Sequence, residues 1–320
     1  MKLVFRFVFK SSGLLLIVLF LRIIVPAEQN DNPAKKPITH LLLKPLRTIG
    51  PNLPGGLELT NPTLIAANSM GECFIFDASS NTIHRLTNEF EFDKSFSVVV
   101  PDSRIMNATC LQFDSALNLY IVDFGGRRIL VFDRSVNFVK VIDTYFNENG
   151  ISTKFSAPRD LAIDKEGNFW IADNDRILKT NQFLELTSIV TDILPAERRP
   201  GTITALWRNS GGNIIAGDSG NNRLLIFSPN GNLISELKVA PFADLVTDCF
   251  GNYWSADLAS GRIQAFSASG LSLFDTSKLK VEIKGRSIAI LPTDKLAVID
   301  PVSRQIKIFQ IIFGDILSNE

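Results

Sequence analysis

The stretch Pro158-Arg159-Asp160-Leu161-Ala162-Ile163-Asp164-Lys165-Glu166-Gly167-Asn168-Phe169-Trp170-Ile171-Ala172-Asp173 decides the reading of the whole chain. It is a short apolar run, a polar turn closing at Gly167-Asn168, a second apolar run and an Asp. A third run, Arg176-Ile177-Leu178-Lys179, follows. Runs of this length are too short for helices, and their aromatic and branched residues suit strands.

The phrase recurs. Its final Asp stands at Asp77, Asp123, Asp173, Asp218, Asp257 and Asp300, with spacings of 46, 50, 45, 39 and 43 residues. A period in the forties is that of a four-stranded propeller blade. The strands ending at these positions include Cys73-Phe74-Ile75-Phe76, Leu119-Tyr120-Ile121-Val122 and Asn252-Tyr253-Trp254-Ser255. Each Asp precedes a polar turn and a further strand, such as Arg128-Ile129-Leu130-Val131-Phe132 or Arg223-Leu224-Leu225-Ile226-Phe227. Gly and Asn in these turns supply the positive-φ positions of tight hairpins. The Asp carboxylates are expected to accept hydrogen bonds from the adjoining turn. The arginines that follow (Arg128, Arg176, Arg223, Arg262) add charge-assisted bonds. Six such positions on a ring cannot converge on one substrate, so their role is structural.

The pattern Pro-x-x-Leu/Ile-Ala-x-Asp, Gly-Asn, strand, Asp, polar turn, Arg-Ile-x-x-Phe resembles the NHL repeat. Residues 158–183 and 117–132 carry it best. The resemblance implies an all-β, six-bladed propeller with four-stranded antiparallel blades over roughly residues 41–313. It says little about function, because the family holds binding modules, extracellular sensors and a few enzymes. The last copy shows three strands, and the segment Leu41 to Ile49 has no blade of its own. That N-terminal strand is therefore expected to complete the last blade, closing the ring and removing free edges.

The chain has 320 residues, enough for one large all-β domain. Residues 1–27 read as a targeting segment: Lys2, Arg6 and Lys10 precede an apolar core, and Val25-Pro26-Ala27 resembles a cleavage site. It is either a cleaved signal peptide or, with Arg22 snorkelling, a membrane anchor. Residues 28–38 read as a flexible linker, 39–316 as the propeller and 317–320 as a short tail. The propeller is thus expected outside the cytoplasm, secreted, periplasmic or membrane-anchored, with its N-terminal segment touching the membrane at least transiently. The 33 basic and 33 acidic side chains cancel, which leaves no footprint for nucleic acid. Of three cysteines (Cys73, Cys110, Cys249), free buried thiols are the first reading, with a Cys110 disulfide as the alternative.

The inner strands are read as starting at Ile65, Leu111, Leu161, Leu206, Leu245 and Ile288. Just before them stand Thr63-Leu64, Thr109-Cys110, Arg159-Asp160, Thr204-Ala205, Ala243-Asp244 and Arg286-Ser287, at one depth of the central channel. Asp160 and Asp244 either coordinate calcium through their oxygens or pair with Arg159 and Arg286. In the second case the site is a neutral polar lining that includes Thr63, Thr109 and Thr204. With only His40 and His84, a histidine-rich zinc site or a catalytic triad is hard to assemble. The propeller lyases and lactonases that resemble this architecture rely on such histidines. The gluconolactonase-like ones need a calcium cage with a Glu, and no Glu stands at the entry positions. The leading expectation is therefore a monomeric exported binding or scaffold module, without catalysis or cofactor. It would engage a protein or glycan through rim loops such as 144–158. The alternative is a calcium-dependent, gluconolactonase-like hydrolase with its metal in the channel.

Overall fold

The computed structural model describes residues 40–101, 104–257, 259–276 and 285–314. The calls on residues 1–38, on part of the 278–286 loop and on the tail lie outside them. Six four-stranded antiparallel sheets form the blades of a propeller. Blade one comprises Pro62–Ala67, Cys73–Asp77, Thr82–Leu86 and Phe92–Ser97. Blade two runs from Ala108–Phe113 to Phe138–Ile142, and blade three from Pro158–Ile163 to Leu186–Ile189. Blade four runs from Ile203–Arg208 to Leu233–Lys238, and blade five from Phe242–Thr247 to Ser272–Asp275. Blade six contains Ser287–Leu291, Lys295–Asp300 and Gln305–Gly314. Its outermost strand is the N-terminal His40–Ile49, with His40 opposite Gly314 and Ile49 opposite Ile306.

The turn inside the repeated phrase explains its spelling. Asp164 Oδ1 accepts the backbone N–H groups of Glu166 and Asn168, while Oδ2 accepts the Asn168 amide and the Trp170 indole. Asp248 does the same with Phe250, Asn252 and Trp254. Gly167 sits at φ +82°, where a Cβ is strained.

Second strands such as Phe169–Asp173 are buried along their whole length, because each blade packs on a neighbour on both faces. The core accordingly divides into six apolar clusters, one at each interface between adjacent blades. Trp170 lies in the cluster between blades three and four, and Trp254 in that between five and six. In the 144–158 connection, Tyr145 and Phe155 are buried and stacked 5.8 Å apart, while Phe146 is exposed. Cys73 and Cys110 are buried free thiols; Cys249, against expectation, is exposed in a turn, its Sγ 3.1 Å from Asp294.

The inner strands begin three residues earlier than read in blades one to five and one residue earlier in blade six. The reason is a break of register near each start: between Pro62 and Leu64, Ala108 and Cys110, Pro158 and Asp160, Ile203 and Ala205, and Phe242 and Asp244. Each is a β-bulge, in which one extra residue bends the strand and re-aims side chains.

Candidate functional site

The six repeat aspartates all accept hydrogen bonds from neighbouring backbone and side chains. Asp77 accepts the N–H groups of Thr60 and Asn61 in the loop that enters its own blade, the Thr60 hydroxyl, and two N–H groups of its own turn. Asp123, Asp173 and Asp218 take the equivalent N–H pairs at Met106-Asn107, Ser156-Ala157 and Gly201-Thr202. They add Arg128, Arg176 and Arg223 at 3.0, 2.7 and 2.8 Å. Blades five and six depart from this. Asp257 holds its own turn through Ala259 and Ser260, with Arg262 bonded to Ser260, and Asp300 pairs with Lys307 at 2.7 Å. Burial pushes Asp77, Asp257 and Asp300 up, but their N–H, hydroxyl and ammonium donors outweigh it and hold all three below the ordinary carboxylate value. Each repeat aspartate thus ties down backbone, and the reach from one strand end to the loop entering the blade had no signal in the sequence.

The channel is different. A cavity of about 360 Å³ opens in it, lined among others by Thr63, Thr109, Arg159, Asp160, Thr204, Asp244 and Arg286. The bulges make this possible. In blades one, two, three and five two successive residues, such as Arg159 and Asp160 or Ala243 and Asp244, both border the same space.

Asp160 and Asp244 each reach to the next blade. Asp160 Oδ1 accepts its neighbour Leu161 N–H at 2.6 Å, and Oδ2 accepts Leu206 N–H of blade four at 2.7 Å. The Cys110 thiol of blade two donates to it as well. Asp244 Oδ1 accepts Leu245 N–H at 2.8 Å, and Oδ2 accepts the Ser287 hydroxyl at 2.8 Å and Ile288 N–H at 2.9 Å, both in blade six. Ser287 Oγ in turn accepts Ile65 N–H of blade one at 3.1 Å. A belt of side chains therefore links blades two, three and four, and a second links five, six and one. At the two remaining junctions the equivalent positions are Leu64 and Ala205, which have no such donor or acceptor.

Burial pushes the Asp160 carboxyl up to about 7 despite its donors, with the charge of Asp244 raising it further. Burial likewise takes Asp244 up to about 6. Burial and the Asp160 charge raise the Cys110 thiol well above its usual value, so it stays protonated.

The expected pairing of these acids with the channel arginines is not what the fold builds. Neither Arg159 nor Arg286 forms an ion pair among the described residues. The Arg159 guanidinium lies 4.4 Å over the Phe124 ring, and its Nε is buried without a hydrogen-bond partner. Thr109 donates to the Arg159 carbonyl at 2.6 Å, while the Thr204 hydroxyl is buried and unpartnered.

Calcium asks for six to eight oxygens. The channel offers two carboxylates whose four oxygens already face N–H or hydroxyl donors, beside two unneutralised guanidinium groups. Among the described residues no three His, Cys, Asp or Glu side chains stand together. The donor set does not fit a calcium cage. The histidines stand elsewhere: His84 is buried in blade one with Nδ1 2.7 Å from Ser95 Oγ, and His40 starts the closing strand.

No protein-family model and no curated protein matches the chain by sequence. Solved structures match by fold. The β-propeller domain of Cps50 (Swd1) from Myceliophteria thermophila is 11% identical, over 84% of this chain and 99% of that one, with a TM-score of 0.61. A gluconolactonase from Xanthomonas campestris is 12% identical, over 87% and 99%, with a TM-score of 0.60. A catalytically inactive histidine-to-alanine form of virginiamycin B lyase from Staphylococcus aureus, with quinupristin, is 15% identical, over 88% and 91%, with a TM-score of 0.55. At these identities the likeness is one of fold. It overturns the expectation of a purely binding or scaffolding propeller without catalysis, because the ring is shared with a lyase and a gluconolactonase.

Proposed function

We propose that the protein is a lactone- or ester-cleaving hydrolase that works in the central channel through its own carboxyl groups. One observation carries this reading: two carboxyl groups with raised proton affinity border a single cavity, held in place by N–H donors of the next blade. A pair of acids whose environments differ divides into a proton donor and a proton acceptor near neutral pH. Asp160, the weaker acid, is the donor, and Asp244 is the acceptor. Asp244 Oδ1 accepts only the Leu245 N–H and keeps a second lone pair for the proton it takes, so the belt bonds and proton transfer are compatible.

Asp244 takes a proton from water as that water's oxygen attacks the ester carbonyl. The C–O bond of the resulting tetrahedral adduct breaks, and Asp160 gives its proton to the departing alkoxide. The products are a carboxylic acid and an alcohol, joined in one hydroxy acid where the ester was cyclic, and, once solvent has exchanged the two protons, the starting enzyme. The mechanism includes no metal step, since the channel donors do not fit one. Histidine chemistry has no support either, as His40 and His84 both lie away from the cavity. The propeller lyase and gluconolactonase support the reading by showing that this fold hosts catalysis. The NHL-like spelling of the repeat and the export-like start support an NHL-type propeller working outside the cytoplasm.

The test is hydrolysis of δ-lactones and short esters followed by pH-stat, with and without chelator. Turnover by the purified protein, unchanged by chelator and lost in Asp160→Ala and in Asp244→Ala, is expected. Turnover that survives both substitutions overturns the reading.

A further inference from the structure

The proposed reaction accounts for the carboxyl pair but leaves two guanidinium groups in the same cavity. They come from blades three and six, which are opposite one another in a ring of six. An arginine inside a protein normally meets a carboxylate, and two carboxylates stand close by. Yet Asp160 and Asp244 accept backbone N–H groups, and neither arginine has an ionic partner among the described residues. The Phe124 ring under Arg159 fixes the guanidinium plane by cation–π contact while leaving its N–H edge free. The buried Nε of Arg159 and the buried hydroxyl of Thr204 have no partner. A buried donor without an acceptor costs about 1–3 kcal/mol, so both groups mark strain beside the cavity. The two arginines therefore bring positive charge to the cavity with no ionic partner among the described residues.

We infer that the channel is an anion site: Arg159, Arg286 and Thr204 hold a carboxylate or phosphate group of the substrate. The planar fork of arginine suits either oxyanion. Relative to the proposed hydrolysis this names the substrate class, an anionic ester or lactone, and it rests on that reading for the scissile bond. Binding of the anion itself does not. Anionic lactones and esters are then better substrates than neutral ones, because only an anion offsets the two guanidinium charges.

The experiment is calorimetric titration of the full chain with inorganic phosphate and, separately, with malonate, at low ionic strength. Stoichiometric binding that weakens with added sodium chloride is expected. Affinity is expected to drop at least tenfold in Arg159→Gln and in Arg286→Gln. Arg286 is exposed, so its substitution leaves folding untouched even where that of Arg159 disturbs it. Phosphate preferred over malonate assigns a phosphorylated substrate, and the reverse assigns a carboxylate. No binding by the wild type, or equal binding by both arginine variants, overturns the inference. Arginine-dependent binding without any ester turnover sustains it and removes the hydrolase reading. Ester turnover with arginine-independent binding does the opposite.

Discussion

Two sets of aspartates occupy the same blades and behave in opposite ways. The repeat set ends the second strands, and the channel pair sits in the first strands of blades three and five. Both sets accept backbone N–H groups, so hydrogen bonding alone does not separate them. The difference lies in cations and in ownership. Asp123, Asp173 and Asp218 pair with an arginine and hold their own blade. Asp160 and Asp244 have no cation and hold the next blade. On Asp77, Asp257 and Asp300 the donors outweigh burial and hold the carboxyl low. On Asp160 and Asp244 burial wins, and the proton affinity gained is what proton-transfer chemistry uses.

The sharpest way to break this comparison is to delete one acid from each set. Asp160→Ala is expected to lower kcat/KM by about a hundred- to ten-thousand-fold, the range for a lost general acid. Asp218→Ala removes one of the two carboxylates on the buried Arg223, leaving Glu236 at 3.1 Å, and bares the Gly201 and Thr202 N–H groups; it is expected to lower unfolding free energy by about 1–3 kcal/mol. Turnover per folded molecule should stay the same. Urea unfolding and steady-state rates on both variants decide the matter. Equal loss of turnover in the two would erase the distinction.

Acidity separates the sets next. Asp77, Asp257 and Asp300 have folded values below their unfolded ones, so their contribution is present above about pH 4 and is lost as pH falls through the folded values. For Asp160 and Asp244 the sign reverses. The folded protein binds more protons than the unfolded chain between about pH 4 and about 7, so stability falls as pH rises through that window and is level above it. Midpoints of urea unfolding are therefore expected to peak near pH 4 to 5. The kcat/KM profile is expected to be bell-shaped, with limbs near 6 and 7 that belong to the coupled pair. A flat stability profile between pH 4 and 7 would place the channel acids with the rim acids.

The smallest effect concerns ownership. Ser287→Ala removes the hydroxyl that joins Asp244 to Ile65 N–H across two junctions. A loss of about 1–2 kcal/mol is expected from the N–H left bare. Hydrogen exchange at Ile65 should quicken, while exchange at Leu206, in the other belt, stays as it was.

The ring was legible because a repeat multiplies its own evidence. Six copies of Gly-Asn turns and strand-ending aspartates make an architecture that one copy would not. The fourth strand of blade six was legible for the complementary reason: His40–Ile49 had nowhere else to pair. The channel positions could be aligned, and Asp160, Asp244, Arg159 and Arg286 all border the cavity. Their partners were not legible. Bulges leave no reliable mark on composition, and a bulge decides whether Arg159 and Asp160 turn together or apart. Bonds such as Asp160 to Leu206 N–H depend on how neighbouring sheets are staggered, which no single repeat encodes. Pairing of opposite charges was the natural guess from letters alone, and the backbone N–H groups won because they stand closer and in fixed geometry.

One consequence of the closing strand concerns time rather than energy. Ile49 cannot meet Ile306 until nearly the whole propeller has been made and the blades between them are in place. Joining ends so distant along the chain carries a loop-closure entropy of about 5 kcal/mol if the intervening chain is unstructured, and less once blades have formed. Closure is thus the natural last step, and a chain caught before it shows the bare edge of Gln305–Gly314 with Ile306, Ile308 and Ile311. Such an edge recruits other strands. The interval between finishing blade five and docking the first strand is the period in which this molecule is most exposed to aggregation.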